Sequence, residues 1–115
     1  MLRRFNAQFL MTQFDAYKNR NDSTRKTYPL LLNVQHPVLD SLSTSIIVPL
    51  ARTGKNSAIS MDTVAPIVLF DEESFVLMVP QMSAVLVQSL QESIGTLALF
   101  RAEIVAVLDF AFTGY

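Results

Sequence analysis

At 115 residues the chain is sized for one domain with a single core. Half of it is apolar and the charges nearly cancel at net −1, so it lacks the composition of a disordered chain and has no basic excess to meet nucleic-acid phosphates. Cysteine is absent, which excludes a disulfide framework and a thiolate metal site and is compatible with a reducing cytoplasm.

Residues 1–10, MLRRFNAQFL, place two arginines ahead of apolar residues. They offer no h-region and no small-residue cleavage site, so they do not read as a secretory signal. From residue 11 a period-two pattern predicts a strand, with Phe14, Ala16 and Lys18 facing one way and Gln13, Asp15 and Tyr17 the other. Residues 18–27, KNRNDSTRKT, read as a polar, basic loop or hairpin tip with no apolar anchor. Residues 28–34, YPLLLNV, predict a second strand with Pro29 at its start, and His36-Pro37 ends it. Residues 45–50, SIIVPL, predict a third. Residues 51–63 read as a loop. PIVLF at 66–70 and SFVLMV at 74–79 flank a DEE turn and predict a hairpin, and residues 85–87 give one more short strand.

Residues 91–96 lead into a helix over 100–112, with Ser93 or Thr96 as candidate N-caps. Several short strands and one terminal helix predict a mainly antiparallel sheet or barrel with a helix packed on it. The C-terminal stretch is the most apolar of the chain, but Arg101, Glu103 and Asp109 interrupt it. It falls short of the roughly 20 apolar residues that a membrane span needs, so no membrane partner is expected.

That helix is apolar around nearly its whole circumference. A helix packed on one surface needs only a stripe. The simplest resolution is that one face packs on the sheet and another on a second copy, in a two-fold homodimer. Gly114 suits a helix C-cap, where a positive φ is needed. Tyr115, beyond it, reads either as a residue past a cap or as an aromatic contact group on a short arm.

The order of short motifs then becomes informative. Gln13-Phe14, Tyr17-Lys18, Asn33-Val34-Gln35, Leu39-Asp40, Val48-Pro49-Leu50, Pro66-Ile67-Val68, Asp71-Glu72, Met82, Val85 and a last helix closing on Gly114 follow one another over residues 11–115. In order and spacing this resembles the CcdB family of toxins from bacterial toxin–antitoxin modules. The resemblance implies an SH3-like antiparallel β-barrel with a small added sheet and one C-terminal α-helix. It also implies a homodimer, with Leu108, Ala111 and Phe112 at the dimer interface. Family members poison DNA gyrase: they bind its A subunit and trap the cleaved enzyme–DNA complex, with no chemistry and no cofactor or metal of their own. A CcdA-type antitoxin neutralises them, and the complex represses its own operon, so that DNA is met only through the antitoxin or gyrase.

Carried onto this chain, the gyrase-binding residues are Thr113, Gly114 and Tyr115 at the helix end, Asp109 one turn earlier, and His36 and Val38 after the Asn-Val-Gln strand. Thr113 stands where the best-known members have a large aromatic, and Tyr115 where they end in an aliphatic residue. Losing an indole at an interface centre costs roughly 2 kcal/mol or more. The resemblance starts at Met11, which makes residues 1–10 an upstream, irregular extension and 11–115 a single toxin domain.

Little in the residues suggests an enzyme. The single histidine, His36, precedes a proline in a turn, and Asp71, Glu72 and Glu73 share one tight turn. Three well-separated glycines make no phosphate loop. An RNA-cleaving toxin of the MazF/Kid type would share the barrel but needs a basic surface and an acid–base pair, for which Lys18, Arg20, Arg25 and Lys26 are the only cluster. A relative that binds an antitoxin but gyrase only weakly is the other alternative.

Overall fold

A computed structural model describes residues 12–36, 42–53 and 67–114. The expected extension over 1–10 lies outside them, as does most of the expected loop at 51–63. Seven strands form one antiparallel sheet: β1 (Asp15–Lys18), β2 (Leu30–Asn33), β3 (Thr44–Arg52), β4 (Ile67–Phe70), β5 (Glu73–Leu77), β6 (Ser83–Leu86) and β7 (Gly95–Thr96). The helix α1 (Arg101–Thr113) follows. The result is mainly β: a sheet curled into a half-barrel, with one C-terminal helix packed against it.

The strand order is β4-β5-β3-β2-β1-β7. β3 is the organiser. At nine residues it is the longest strand, and its two edges are used differently. One edge pairs with β2, from Leu30↔Leu50 to Asn33↔Ile47. The other is shared: its first half pairs with β6, Thr44↔Leu86 to Ile47↔Ser83, and its last residues with β5, Leu50↔Leu77 to Arg52↔Phe75. This pairing carries the strand to Arg52, two residues further than the hydrophobic run 45–50 predicted. Its proline, Pro49, sits opposite Leu31, and the Pro49 carbonyl accepts from Met78 N–H at 2.9 Å.

The first strand departs from simple alternation. Phe14 has φ of +74°, so the pleat starts only at Asp15. Ala16 and Tyr17 are then both buried while Lys18 is exposed, unlike the expected Phe14/Ala16/Lys18 face. The reason is that the sheet is covered on both sides. The main cluster holds Phe14, Leu32, Val48, Leu50, Val68, Phe75, Leu77, Leu97, Ile104 and Val107. A smaller one on the opposite face gathers Tyr17, Ile47 and Leu90, with Leu31, Val85 and Val87 against it. Leu90 reaches that cluster because the chain turns through a 3-10 turn at Val87–Ser89, which also ends the sixth strand at Leu86 rather than Val87.

The predicted β4–β5 hairpin forms, but its turn is only Asp71 and Glu72, with φ of +55° and +67°: Glu73 already pairs with Phe70, and the second strand ends at Leu77 rather than Val79, which enters a 3-10 turn. Two positive φ values fit a right-twisted two-residue loop. The helix start differs from expectation. Neither Ser93 nor Thr96 caps α1, which follows directly on a 3-10 turn at Ala98–Phe100 and has no side-chain cap. Thr96 Oγ1 instead accepts from Ala98 N–H at 3.1 Å, at the start of that preceding turn.

Candidate binding surface at the end of the helix

The helix is anchored at its start and free at its end. Leu97 N–H donates to the Phe14 carbonyl at 2.7 Å, and the Arg101 guanidinium lies 5.5 Å over the Phe14 ring. Ile104 and Val107 are buried, with Val105 and Leu108 half-buried against the same core. From Asp109 to Gly114 every residue is exposed. Phe112 is 69 % exposed and Phe110 41 %. The all-round apolar character read from the sequence is therefore a real surface, concentrated in the last turn.

Two hydrogen bonds shape that turn. Gly114 takes φ of +85° and its N–H closes on the Phe110 carbonyl at 2.9 Å, the cap expected of it. A Cβ on Gly114 would meet nothing within 4 Å, so the glycine is required by the backbone and not by space. Thr113 Oγ1 donates to the Asp109 carbonyl at 2.6 Å, which turns the hydroxyl back onto the helix. Asp109, Thr113 and Gly114 are thus brought together in one turn. Ala111 and Phe112, with Phe110, face Val79, Pro80 and Met82 across an apolar groove of about 420 Å³, while Leu108 packs inward. His36 is exposed beyond the end of β2, on a different element. Val38 and Tyr115 lie outside the described residues.

A polar network that the sequence reading did not single out for function lies beneath His36. Asn33, fully buried, donates from Nδ2 to the Thr12 carbonyl at 3.2 Å. Its Oδ1 accepts from Ser45 Oγ at 2.7 Å and from Gln35 N–H at 3.1 Å. Gln35, 7 % exposed, donates to the Thr44 carbonyl and accepts from Ile46 N–H, both at 3.3 Å. The available signal was Asn33 and Gln35 ending an apolar strand, because polar residues buried at such a place must find partners. Asp15, on β1, has its carboxyl pushed above the usual range by burial, opposed by hydrogen bonds from Ser93 and the Thr12 backbone.

A second groove, of about 480 Å³, lies beside the polar loop and is floored by Leu31, Ile47, Val85 and Leu90. Among the described residues its lining has one charged group, Arg20, and neither carboxylate nor imidazole to form a proton-transfer pair. Asp71, Glu72 and Glu73 are exposed at the hairpin. Among the described residues no three His, Cys, Asp or Glu side chains gather where they could hold a metal ion, and no helix is long and apolar enough to cross a membrane.

Comparison with curated proteins gives no match. The family model described as CcdB protein matches residues 13–114, nearly the whole chain, from the Gln13-Phe14 pair that anchors the helix to the glycine that caps it. The chain therefore belongs to the CcdB family and is a toxin of a toxin–antitoxin system.

Proposed function

We propose that this toxin acts without chemistry of its own, by binding the A subunit of DNA gyrase and trapping the cleaved enzyme–DNA complex. The observation that carries this reading is the last turn of α1. It is capped by Gly114, exposed from residue 109 to residue 114 in the protomer, and presents Asp109 and Thr113 beside Phe112. Thr113, Gly114 and Tyr115 form the contact, with Asp109, His36 and Val38 around it. The half-barrel, whose seven described strands form one sheet rather than a barrel with a separate added sheet, belongs to an SH3-like fold. The protein works as a homodimer in the cytoplasm, with residues 11–115 as the toxin unit. Ala111 and Phe112 face the second copy, with the part of Leu108 that the core leaves uncovered at their base, and the apolar groove beside Val79, Pro80 and Met82 receives it. A CcdA-type antitoxin neutralises the dimer, and the complex represses its operon through the antitoxin's DNA-binding part.

The test is a cleavage-trapping assay with gyrase, ATP and supercoiled plasmid. The full chain is compared with one lacking residues 113–115. Linear DNA from the first and none from the second is the expected result. No linear DNA from either, with the gyrase responsive to a known poison, would make the protein an antitoxin-binding relative with a different target.

A further inference from the structure

The β2–β3 ladder opens in an unusual way just before His36. Val34 N–H donates to the Ile46 carbonyl at 3.0 Å, one half of the two-bond exchange expected of such a pair. The other half is supplied by side chains. Ile46 N–H donates to Gln35 Oε1 at 3.3 Å, and the Val34 carbonyl accepts from Gln13 Nε2 at 3.2 Å. Two residues earlier on β3, the Thr44 carbonyl accepts from Gln35 Nε2 at 3.3 Å. Two carboxamides thus stand in for the strand that β2 no longer provides. The main chain can leave the sheet at His36 without stranding the inner-edge polar groups of β3.

Gln13 does a second thing. Its Oε1 accepts from Arg101 Nη1, in the first turn of α1, at 3.3 Å. The same side chain therefore touches the point where the chain exits β2 and the point where the helix begins. The intervening residue, Phe14, is itself fixed from both sides: its N–H donates to the Asn33 carbonyl and its carbonyl accepts from Leu97 N–H, both at 2.7 Å. We infer that Gln13 and Gln35 are positioning residues, which set where His36 leaves the sheet relative to the axis of α1 and so hold two separate parts of the binding surface in register. Both motifs, Gln13-Phe14 and Asn33-Val34-Gln35, carry this joint. Neither glutamine is assigned a contact with the target. The inference rests on the gyrase reading given above.

The experiment uses the full chain with Gln35→Met and Gln13→Met, which keep length and lose both hydrogen-bonding ends, and Gln35→Glu, which keeps the acceptor for Ile46 N–H. Amide exchange of Ile46 is measured by NMR, and linear DNA by cleavage trapping, at a temperature where circular dichroism shows every variant fully folded. In Gln35→Met the Ile46 amide, a partly buried donor left without its partner, is expected to exchange fast and trapping to fall. Gln35→Glu should keep Ile46 protected and recover part of the trapping. Gln13→Met should lower trapping while leaving Ile46 protected. The inference is overturned if Gln35→Met traps like the parent although Ile46 has lost protection, or if Gln13→Met traps like the parent. If the parent chain itself gives no linear DNA, the gyrase reading fails and takes this inference with it, an outcome distinct from a parent that traps and a variant that traps equally.

Discussion

The ring of Phe70 on β4 lies against Gly95 on β7: a Cβ built on Gly95 would stand 2.6 Å from Phe70 Cε1. These two strands are the opposite ends of the sheet path, so the contact marks where the curled sheet meets itself. No ladder joins them among the described residues; the seam is one half-buried aromatic filling the space a missing side chain leaves. Beyond the seam the chain passes through Leu97 and the 3-10 turn at Ala98–Phe100 into α1.

Gly95→Ala should therefore destabilise the protein by about 1–3 kcal/mol, the range for forcing extra volume into a packed contact. Thermal unfolding reads this as a fall of several degrees in Tm. A pairing with Phe70→Leu, which clears the ring, should recover part of it. An unchanged melting temperature in Gly95→Ala would show that the seam is loose.

Gly114 makes a contrasting case. Open space surrounds it, so Gly114→Ala meets only the backbone penalty of φ +85°, about 1–2 kcal/mol. Asn, which tolerates the left-handed region better, should cost less. Trapping of cleaved gyrase that survives in Gly114→Asn would assign the glycine to the cap alone. Trapping lost in a variant with normal stability would place its bare backbone in the interface.

The β4–β5 turn carries a removable strain. Glu72 sits at φ +67°, where a glycine has no steric penalty. Glu72→Gly should raise stability by about 1 kcal/mol, measured by urea titration at unchanged m-value. None of the residues assigned to the binding surface lies in this turn, so gyrase trapping should not change.

Asp15 gives the protein a signed pH dependence. Burial lifts its folded-state carboxyl above the usual 3.8, so the folded protein holds that proton more tightly than the unfolded chain. The stability this contributes is complete below pH 3.8 and is lost as pH rises through the raised value. At neutral pH the ionised group is a burden. Asp15→Asn, which can still accept from Ser93, should melt higher than the parent at pH 7. The gain should vanish in acid; a gain that is equal at pH 3 and pH 7 would contradict the burial argument.

Phe112 is 69 % exposed, so replacing it costs the protomer's own core little. In the proposed dimer it is a central aromatic anchor, and Phe112→Ser should weaken association by about 2 kcal/mol, roughly thirtyfold. Sedimentation across a dilution series, with unfolding of the monomer as the control, checks both halves of the statement.

Some of this was legible in the chain itself. The apolar runs at 45–50, 66–70 and 74–79 each locate a strand, although the last strand runs from Glu73 to Leu77 and Val79 already enters a 3-10 turn, and the Gly114 cap was readable, because these features depend on local pattern and on one residue's backbone freedom. The excess apolar surface of α1 was legible too, since a helix has more circumference than one sheet can cover. Tertiary structure decided the rest. Tyr17 and Ala16 are both inside because the curled sheet has a second cluster at Leu90, seventy-odd residues away, which no alternation along β1 could announce. Ser93 and Thr96 were chemically fit to cap α1, yet the pairing of β7 with β1 fixed the chain there and spent Thr96 on the turn before. The function of Gln13 and Gln35 is likewise invisible locally, since a carboxamide reveals its partners only when strands distant in sequence leave unpaired groups within its reach.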